Sequence, residues 1–574
     1  MALRSTFFLI LLSTKSFAQV QDDWSSLNQS VGGKLFEAKP LASPCFSFYE
    51  GSPHQMDAAE CERLQKNYTS MDLRIERYAG FANSQDEMCM SNTTDQCLLD
   101  STNPSNALAY KNVSCNQGSV SSYYITVSSA EDAQAAFLFS RRTGTKLSIK
   151  ATGHDYNSRS SIKGTLALWM RGLQNMSHDH YFVPQGCDSG EAVDAMTFGA
   201  GVIADEAYTF ADAEGVTVLG PYASTIAMSG GWLQGGGHSV LSPVFGLGVD
   251  RVVQFKIVTP DGHVRIANKC QNKDVFWALR GGGGGTFGVV LEATHRVESK
   301  SVPLAVASMS FPTAADKSNV MPFLEICVNE SLRWGREGWG GHIQFMTTKL
   351  IHVTPLLSLE EAENSMRPIT EFVKSQKGTA IIEMLPSWYS FYKKYLIPNI
   401  APVGQTRILA TRLIPTTLFE TAEGRTNLTF FLADIVQNGL LPYIPVSTPF
   451  LVDDPHNTTS ANPAWRASLW HLGYGAITLP WNSTLEQTRM ALKKSASFVE
   501  KAEKLAPSSG TYFNEAFPWT NEWQREFWDG NYGELLRIKR IYDPDMLLSC
   551  WKCVGFEDSV DARSSFRCLD DVLK

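Results

Sequence analysis

Ile149-Lys150-Ala151-Thr152-Gly153-His154-Asp155-Tyr156-Asn157-Ser158-Arg159-Ser160-Ser161 is the stretch on which the reading of this chain turns. It follows an amphipathic helix-like run and a short apolar segment. A glycine, a histidine, an aspartate, an asparagine, an arginine and several hydroxyls then crowd into one turn. Such a turn presents several backbone N–H groups to one side, a cradle for a diphosphate. One imidazole, His154, stands at its centre.

Outward from the turn, apolar runs alternate with glycine loops. Upstream, Tyr123–Val127 and Lys146–Lys150 read as strands. Between them Ser129 is placed to cap a helix over Ala133–Ser140. Downstream come the apolar run Leu166–Met170, a strand over Ala195–Val202 and a helix over Ala204–Glu214 stopped by Gly215. The loop Gly230-Gly231-Trp232-Leu233-Gln234-Gly235-Gly236-Gly237-His238-Ser239 follows. It leads into a strand over Val252–Thr259 and the hairpin signal Pro260-Asp261-Gly262. Asp274–Arg280, the run Gly281–Gly285 and Thr286–Val290 complete the block. Glycine lets a backbone approach a ligand that a Cβ would hold away. Three such loops point to a large planar or phosphorylated ligand threaded past many amides. None has the GxGxxG strand–turn–helix pattern, which disfavours a Rossmann site.

Residues 301–510 change texture: strand-like runs (Leu304–Phe311, Trp339–Thr347, Arg407–Leu413, Ala476–Leu479) alternate with helix-like ones (Ser318–Val328, Leu359–Lys374, Leu485–Leu505). This pattern predicts an α+β domain, one sheet with helices on one face. The aromatic cluster around Trp388–Tyr395 could line a pocket or serve as ordinary core. In the tail, Tyr512–Glu515 reads as a short strand, and Asn531–Tyr542 as a helix stopped by Asp543-Pro544.

The chain carries a net charge of -8, with 19% charged and 11% aromatic residues. That balance argues against a nucleic-acid partner and leaves no basic membrane patch. Met1–Ala18 has Arg4, the apolar run Phe7–Leu12 and Ser16-Phe17-Ala18, and reads as a secretory signal peptide. Sequons at Asn28, Asn67, Asn92, Asn112, Asn175, Asn329, Asn427, Asn457 and Asn482 point independently to secretion. Five of the eleven cysteines (Cys45, Cys61, Cys89, Cys97, Cys115) fall in residues 19–117, read as a loop-rich, disulfide-stapled cap without chemistry of its own. The odd count leaves at least one thiol unpaired or one intermolecular bond, and Cys550-Trp551-Lys552-Cys553 lacks the context of a metal or redox motif.

Together, Thr152–Tyr156, Gly230–Ser239, Phe276–Val290 and the tail from Asn514 through Asn531-Tyr532 to Asp543-Pro544 resemble the FAD-linked oxidoreductases of the vanillyl-alcohol oxidase superfamily. The branch is the berberine-bridge-enzyme-like one in its fungal form. The resemblance implies an α+β fold. A two-lobed FAD-binding domain of the PCMH type (118–300) and an antiparallel-sheet substrate domain (301–510) precede a C-terminal segment (511–574) that returns to the FAD domain. It assigns His154 as the covalent link to the flavin 8α-methyl. Many relatives add a cysteine link to flavin C6; here Ala223 and Ser224 stand at that place, which leaves a single link. Further cofactor contacts fall on Ala151, Thr152, Gly153, Asp155, Tyr156, Gly230, Gly231, Gly235, Gly236, Gly288, Val290, Asn531 and Tyr532. Catalytic candidates are Tyr512, Asn514, Glu515 and His471, with His238 expected to face the cofactor. The implied reaction is hydride transfer from an alcohol, carbohydrate or specialised metabolite to FAD, and then to oxygen, giving peroxide. Ile226 stands at the family's oxygen gate, β-branched like the admitting Val but bulkier. A dehydrogenase with another acceptor and a non-catalytic flavin-containing extracellular glycoprotein are the alternatives.

Overall fold

The computed structural model describes residues 17–344, 348–399, 402–440, 442–474 and 477–573. Residues 1–16 of the expected leader therefore lie outside the described residues, as do 345–347 and 476 of two expected strands. Helix α1 (Phe17–Ser30) and strand β1 (Leu35–Glu37) open the described chain. Strand β2 (Tyr123–Thr126), helix α2 (Ala130–Thr143), β3 (Leu147–Lys150) and β4 (Leu166–Trp169) build the first lobe. Its sheet runs β1-β2-β4-β3, with β1 antiparallel to β2 and the other pairs parallel. The Ser129 cap is present as a capping box with Asp132, and Gly144 (φ 78°) ends α2 in the left-handed conformation. Ile125, Leu147, Leu166 and Leu168 bury one face of this sheet against Ala133, Ala136 and Phe137 of α2.

The second lobe is a five-stranded antiparallel sheet. Its members are β5 (Met176–Phe182), β6 (Val193–Gly199), β7 (Val252–Val258), β8 (Val264–Asn268) and β9 (Val289–Arg296), in the order β5-β6-β9-β7-β8. Between β6 and β7 lie α3 (Ala204–Ala213) and the one-turn helix α4 (Gly231–Gln234).

The third layer is a seven-stranded antiparallel sheet. In chain order it contains β10 (Leu304–Ser310), helix α5 (Val320–Arg336), β11 (Gly340–Gln344), β12 (Lys349–Thr354), β13 (Thr379–Leu385) and β14 (Thr411–Pro415). Helix α6 (Ala422–Gln437), β15 (Pro442–Val446), β16 (Ser468–Tyr474) and helix α7 (Leu485–Leu505) follow. The strand order is β13-β10-β12-β11-β15-β16-β14. Alternation along β10 explains its place: Ala305, Ala307 and Met309 join the core with α5 and α6, while Leu304 and Val306 face α3 and Trp388. The helices thus cover one face, and the other turns toward the first two lobes.

Three local readings change. Leu359–Lys374 is two helices (Leu359–Ser365, Arg367–Ser375), because Pro368 lacks the N–H a continuous helix needs. Arg407–Leu413 divides into Thr406–Ile408 and the start of β14. Tyr512–Glu515 is a turn closed by Glu515 N donating to Tyr512 O at 3.0 Å, not a strand. The tail helix α8 (Tyr532–Tyr542) then returns to the first lobe, where Leu147 N donates to Leu547 O and Leu147 pairs with Leu548 in a parallel bridge.

Five disulfides close the chain: Cys45–Cys61, Cys97–Cys115, Cys187–Cys270, Cys550–Cys553 and Cys89–Cys568, the last joining the N-terminal cap to the tail. The odd thiol is Cys327, buried in α5, where burial pushes its pKa up and keeps it a thiol.

Candidate active site

A cavity of about 800 Å³ opens where the two lobes, the seven-stranded sheet and the tail meet. That volume lies toward the upper end of the ~300–1,000 Å³ usual for small-molecule sites. The His154 turn forms one wall, with Ala151, Thr152, Gly153, His154, Asp155 and Tyr156 all lining it. The turn is held from behind by its own carboxylate: Asp155 accepts from the backbone N–H groups of Asn157, Arg159 and Ser160. The cap braces it further, Ala82 N donating to Gly153 O and Ser84 N to Asp155 O. Residues 19–117 were expected to carry no chemistry, yet Met71 and Asn83 line the cavity.

His154 is partly exposed, but to this cavity rather than to bulk water. Burial, with the Arg407 and Lys150 charges adding to it, brings its pKa down to about 4, so the imidazole is neutral at pH 7. Its Nε2 lies 2.7 Å from Thr225 Oγ1, and that hydroxyl donates to Met71 Sδ at 3.3 Å. Nε2 is thus the ring nitrogen that the protein engages.

The glycine loops form a second wall through Gly230, Gly231, Gly284, Gly285 and Gly288, beside Val290 and Ala223. A Cβ added to Gly231 would meet nothing within 4 Å, and one on Gly285 only the Ile149 side chain at 3.9 Å. These backbones border open space into which a flat ligand can settle. Arg159 also lines the cavity; it donates to Phe513 O and Trp551 O, yet its Nη2 is buried without a partner. The lining therefore fits FAD: a neutral imidazole and an open glycine wall.

The third wall carries the titratable groups. Tyr512, Asn514 and Glu515 line the cavity together with His238, His342 and Tyr443. Asn514 Nδ2 donates to Gly231 O (2.8 Å) and to Tyr512 Oη (2.7 Å), tying the tail turn to the glycine loop. Burial, reinforced by the Glu515 charge, raises the Tyr512 pKa, so its hydroxyl stays protonated and cannot act as a base. Glu515 is different. Burial works against its carboxylate, but the hydrogen bond from His238 Nε2 at 3.2 Å and the neighbouring imidazoles outweigh it and hold its pKa below the ordinary value. It is the ionised acceptor on this wall.

The remaining expected site residues fall elsewhere. His471 is fully buried behind Glu515, with Nδ1 3.7 Å from Oε2, and does not line the cavity. Burial drops its pKa to about 4, leaving it neutral. Gly235 and Gly236 back the site without lining it; a Cβ on Gly235 would strike Asn514 Nδ2 at 2.5 Å. Ser224 points away, its carbonyl accepting from Asp205 N at the start of α3. Asn531 and Tyr532 are not among the lining residues: Asn531 Nδ2 donates to Ala461 O, and Tyr532 packs on Trp523 and Trp528. Trp388, Phe391 and Tyr392 form core against Tyr208 of α3 rather than a pocket wall. Thr225, Met71, Asn83, Tyr222, His342 and Tyr443 had no signal in the sequence, since only the folded chain brings them to one place.

Residues 121–268 match the model of the FAD binding domain, and residues 511–549 the model of berberine and berberine-like proteins. The FAD-linked oxidoreductase cheF of Chaetomium globosum is 43% identical over 95% of this chain and 88% of its own. Among solved structures, the VAO-type flavoprotein MtVAO615 of Myceliophthora thermophila C1 is 26% identical, with a TM-score of 0.80 over 94% of this chain and 96% of that one. The glucooligosaccharide oxidase of Acremonium strictum shares the fold at 20% identity, with a TM-score of 0.62 over 76% of this chain and 92% of its own. A cavity where two lobes, the seven-stranded sheet and a returning tail meet, taken with relatives of this similarity, has one reading: the chain is an FAD-dependent oxidoreductase and belongs to the vanillyl-alcohol oxidase superfamily, in its berberine-bridge-enzyme-like branch.

Proposed function

We propose that the protein is a secreted oxidase whose FAD is tethered through His154 alone, and which oxidises an alcohol, carbohydrate or specialised-metabolite substrate at the expense of oxygen. The single observation that carries this reading is the pairing, within one cavity, of a neutral His154 and an ionised Glu515 on different walls. His154 Nδ1 is the nitrogen free to bond the flavin 8α carbon, and the Acremonium enzyme is described as carrying an 8α-N1-histidyl, 6-S-cysteinyl FAD. No cysteine lines this cavity among the described residues, and Ala223 occupies the wall where a second tether would start. When bound, FAD supplies the electron sink and returns its electrons to oxygen as peroxide.

The protein's own part is to bind, orient and deprotonate. Glu515 takes the proton of a substrate hydroxyl, and the His238 hydrogen bond keeps that carboxylate ionised and fixed. Asn514 and Tyr512 hold the tail turn, and hence Glu515, against the glycine loop. Tyr443 offers a hydroxyl on the sheet side, suited to a hydroxylated substrate. Ile226 also lines the cavity, as the oxygen-gating role inferred for it requires. Secretion is supported by the position of all nine sequon asparagines on the exposed surface.

The test begins with acid precipitation of the purified protein, where yellow colour staying in the pellet is expected and a colourless pellet would sink the tether. A peroxide-release screen across alcohols, oligosaccharides and aromatic alkaloid-like amines then finds the substrate class. Flavin that is bleached by a substrate but yields no peroxide in aerated buffer would point to a dehydrogenase instead.

A further inference from the structure

A second group of donor side chains lies on the outer edge of the five-stranded sheet, on elements other than those that form the cavity wall. His178 and His180 stand two residues apart on β5, so both project from one face of the strand. Their rings lie 4.2 Å apart. Asp194 of β6 faces both: His178 Nε2 is 2.7 Å from its Oδ1, and His180 Nδ1 is 3.4 Å from its Oδ2. The donor atoms of all three lie within 4.8 Å of one another. Glu214, at the C-terminal end of α3, reaches the remaining ring nitrogen, its Oε2 accepting from His178 Nδ1 at 3.1 Å.

From this geometry we propose that His178 Nε2, His180 Nδ1 and the Asp194 carboxylate form a binding site for a divalent transition cation of the zinc class, with Glu214 orienting His178. Two donors on a tetrahedral zinc with bonds of about 2.1 Å stand about 3.4 Å apart, the spacing already present between His180 Nδ1 and Asp194 Oδ2, while the 2.7 Å His178–Asp194 pair opens to it. The cation takes the place of the proton between His178 Nε2 and Asp194 Oδ1 and releases it to solvent. The Glu214–His178 pairing supplies the carboxylate–histidine–metal order that fixes a ligand ring and raises its basicity. His180, 74% exposed, leaves the fourth position open to water and gives the cation an entry path.

The site would be structural. It ties the edge strand β5 to the far end of α3, and the near end of α3 carries the cavity wall: Ala204 N donates to Ile226 O and Asp205 N to Ser224 O, both at 2.9 Å. A cation held by His178, His180 and Asp194 fixes the ring that Glu214 grips, and so steadies the helix that holds the Ser224–Ile226 segment.

The test is titration of zinc chloride into the chelator-treated, flavin-loaded full chain, followed by calorimetry and by the melting temperature. Zinc is expected to bind with one-to-one stoichiometry and to raise the melting temperature. His180→Ala, at an exposed position the fold does not need, should weaken that binding at least tenfold and abolish the thermal shift. Glu214→Gln should weaken it about 10- to 100-fold. Absence of zinc binding to the wild-type chain would overturn the proposal, leaving His178 as an imidazolium clamped by two carboxylates. So would binding unchanged in His180→Ala, which would place the zinc elsewhere, for example at His238, His471 and Glu515.

Discussion

Thr225 Oγ1 lies 2.7 Å from His154 Nε2 and 3.3 Å from Met71 Sδ, and so holds the imidazole in place. Thr225→Val keeps the shape and removes that hydrogen bond. One lost hydrogen bond of about 1 kcal/mol corresponds to roughly fivefold slower attachment of flavin. Following acid-stable colour over time after FAD is added to flavin-free protein measures this; an unchanged rate would remove Thr225 from any positioning role. Because the His154 pKa is near 4, its lone pair is free above that pH and is lost as pH falls through it, so attachment should fail only in distinctly acid buffer. Glu515, a carboxylate with a lowered pKa, is competent at neutral pH and loses competence only as pH drops below the ordinary carboxylate range. His238→Gln removes the imidazole that, together with its neighbours, offsets burial, so the acid limb of kcat/KM should move up in pH. Glu515→Gln should lower kcat/KM by about 10²- to 10⁴-fold. An acid limb that stays put in His238→Gln would mean another group sets it. Glu515 and His238 could be singled out from sequence because they sit beside glycine loops and a dense polar motif. Thr225 could not, because a lone threonine 71 positions from His154 carries no local signal.

At the scale of elements, the strands and helices with clear periodicity emerged where expected, while those depending on distant partners did not. Leu485–Leu505 coincides with α7, and β2, β3 and β4 lie within a residue or so of their expected bounds. By contrast β12, β13, β15 and β16 had no clear signal: each needs neighbours from far along the chain, and buried central strands such as β16 have no alternation to read. The stop at Asp543-Pro544 was legible, but not what the aspartate does there. Its carboxylate accepts from Leu547 N, Leu548 N and Lys539 Nζ, and Lys539 also donates to Thr286 O of the third glycine loop. Both side chains are fully buried. This pair locks α8 and the following segment onto the first lobe and the glycine loop together. Lys539→Met leaves the carboxylate buried without its cation, which costs about 3–5 kcal/mol. The exposed pair Arg537–Glu534, one turn away on the same helix, is screened by solvent and contributes little. Urea unfolding of Lys539→Met and Arg537→Met should therefore separate clearly; equal midpoints would remove the buried pair from any anchoring role.

Across the whole molecule, the cavity belongs to no single stretch of chain. Met71 and Asn83 come from the cap, His154 and the glycine walls from the lobes, His342 and Tyr443 from the sheet, and Glu515 from the tail. The sequence marked the lobes and the tail because their ligand-facing parts are glycine loops and dense polar turns. The cap and the sheet stayed unmarked, because their contribution depends on where folding brings ordinary side chains. Convergence of both chain ends on one site gives a particular role to Cys89–Cys568, which joins residues 479 positions apart, whereas Cys45–Cys61 spans 16. In the chain-entropy account a closed loop of about 15 residues stabilises by ~3 kcal/mol and one of 100 or more by ~4.7 kcal/mol or above. The paired substitution Cys89→Ser with Cys568→Ser should therefore cost about 3 kcal/mol more than Cys45→Ser with Cys61→Ser. Guanidinium unfolding followed by tryptophan fluorescence reports the difference, since Trp519 and Trp551 sit in the tail core that Cys568 fastens. If the short-loop variant is the less stable of the two, local packing of the cap around Tyr68 outweighs chain closure. The tail would then be held to the body by the Lys539–Asp543 lock rather than by its disulfide.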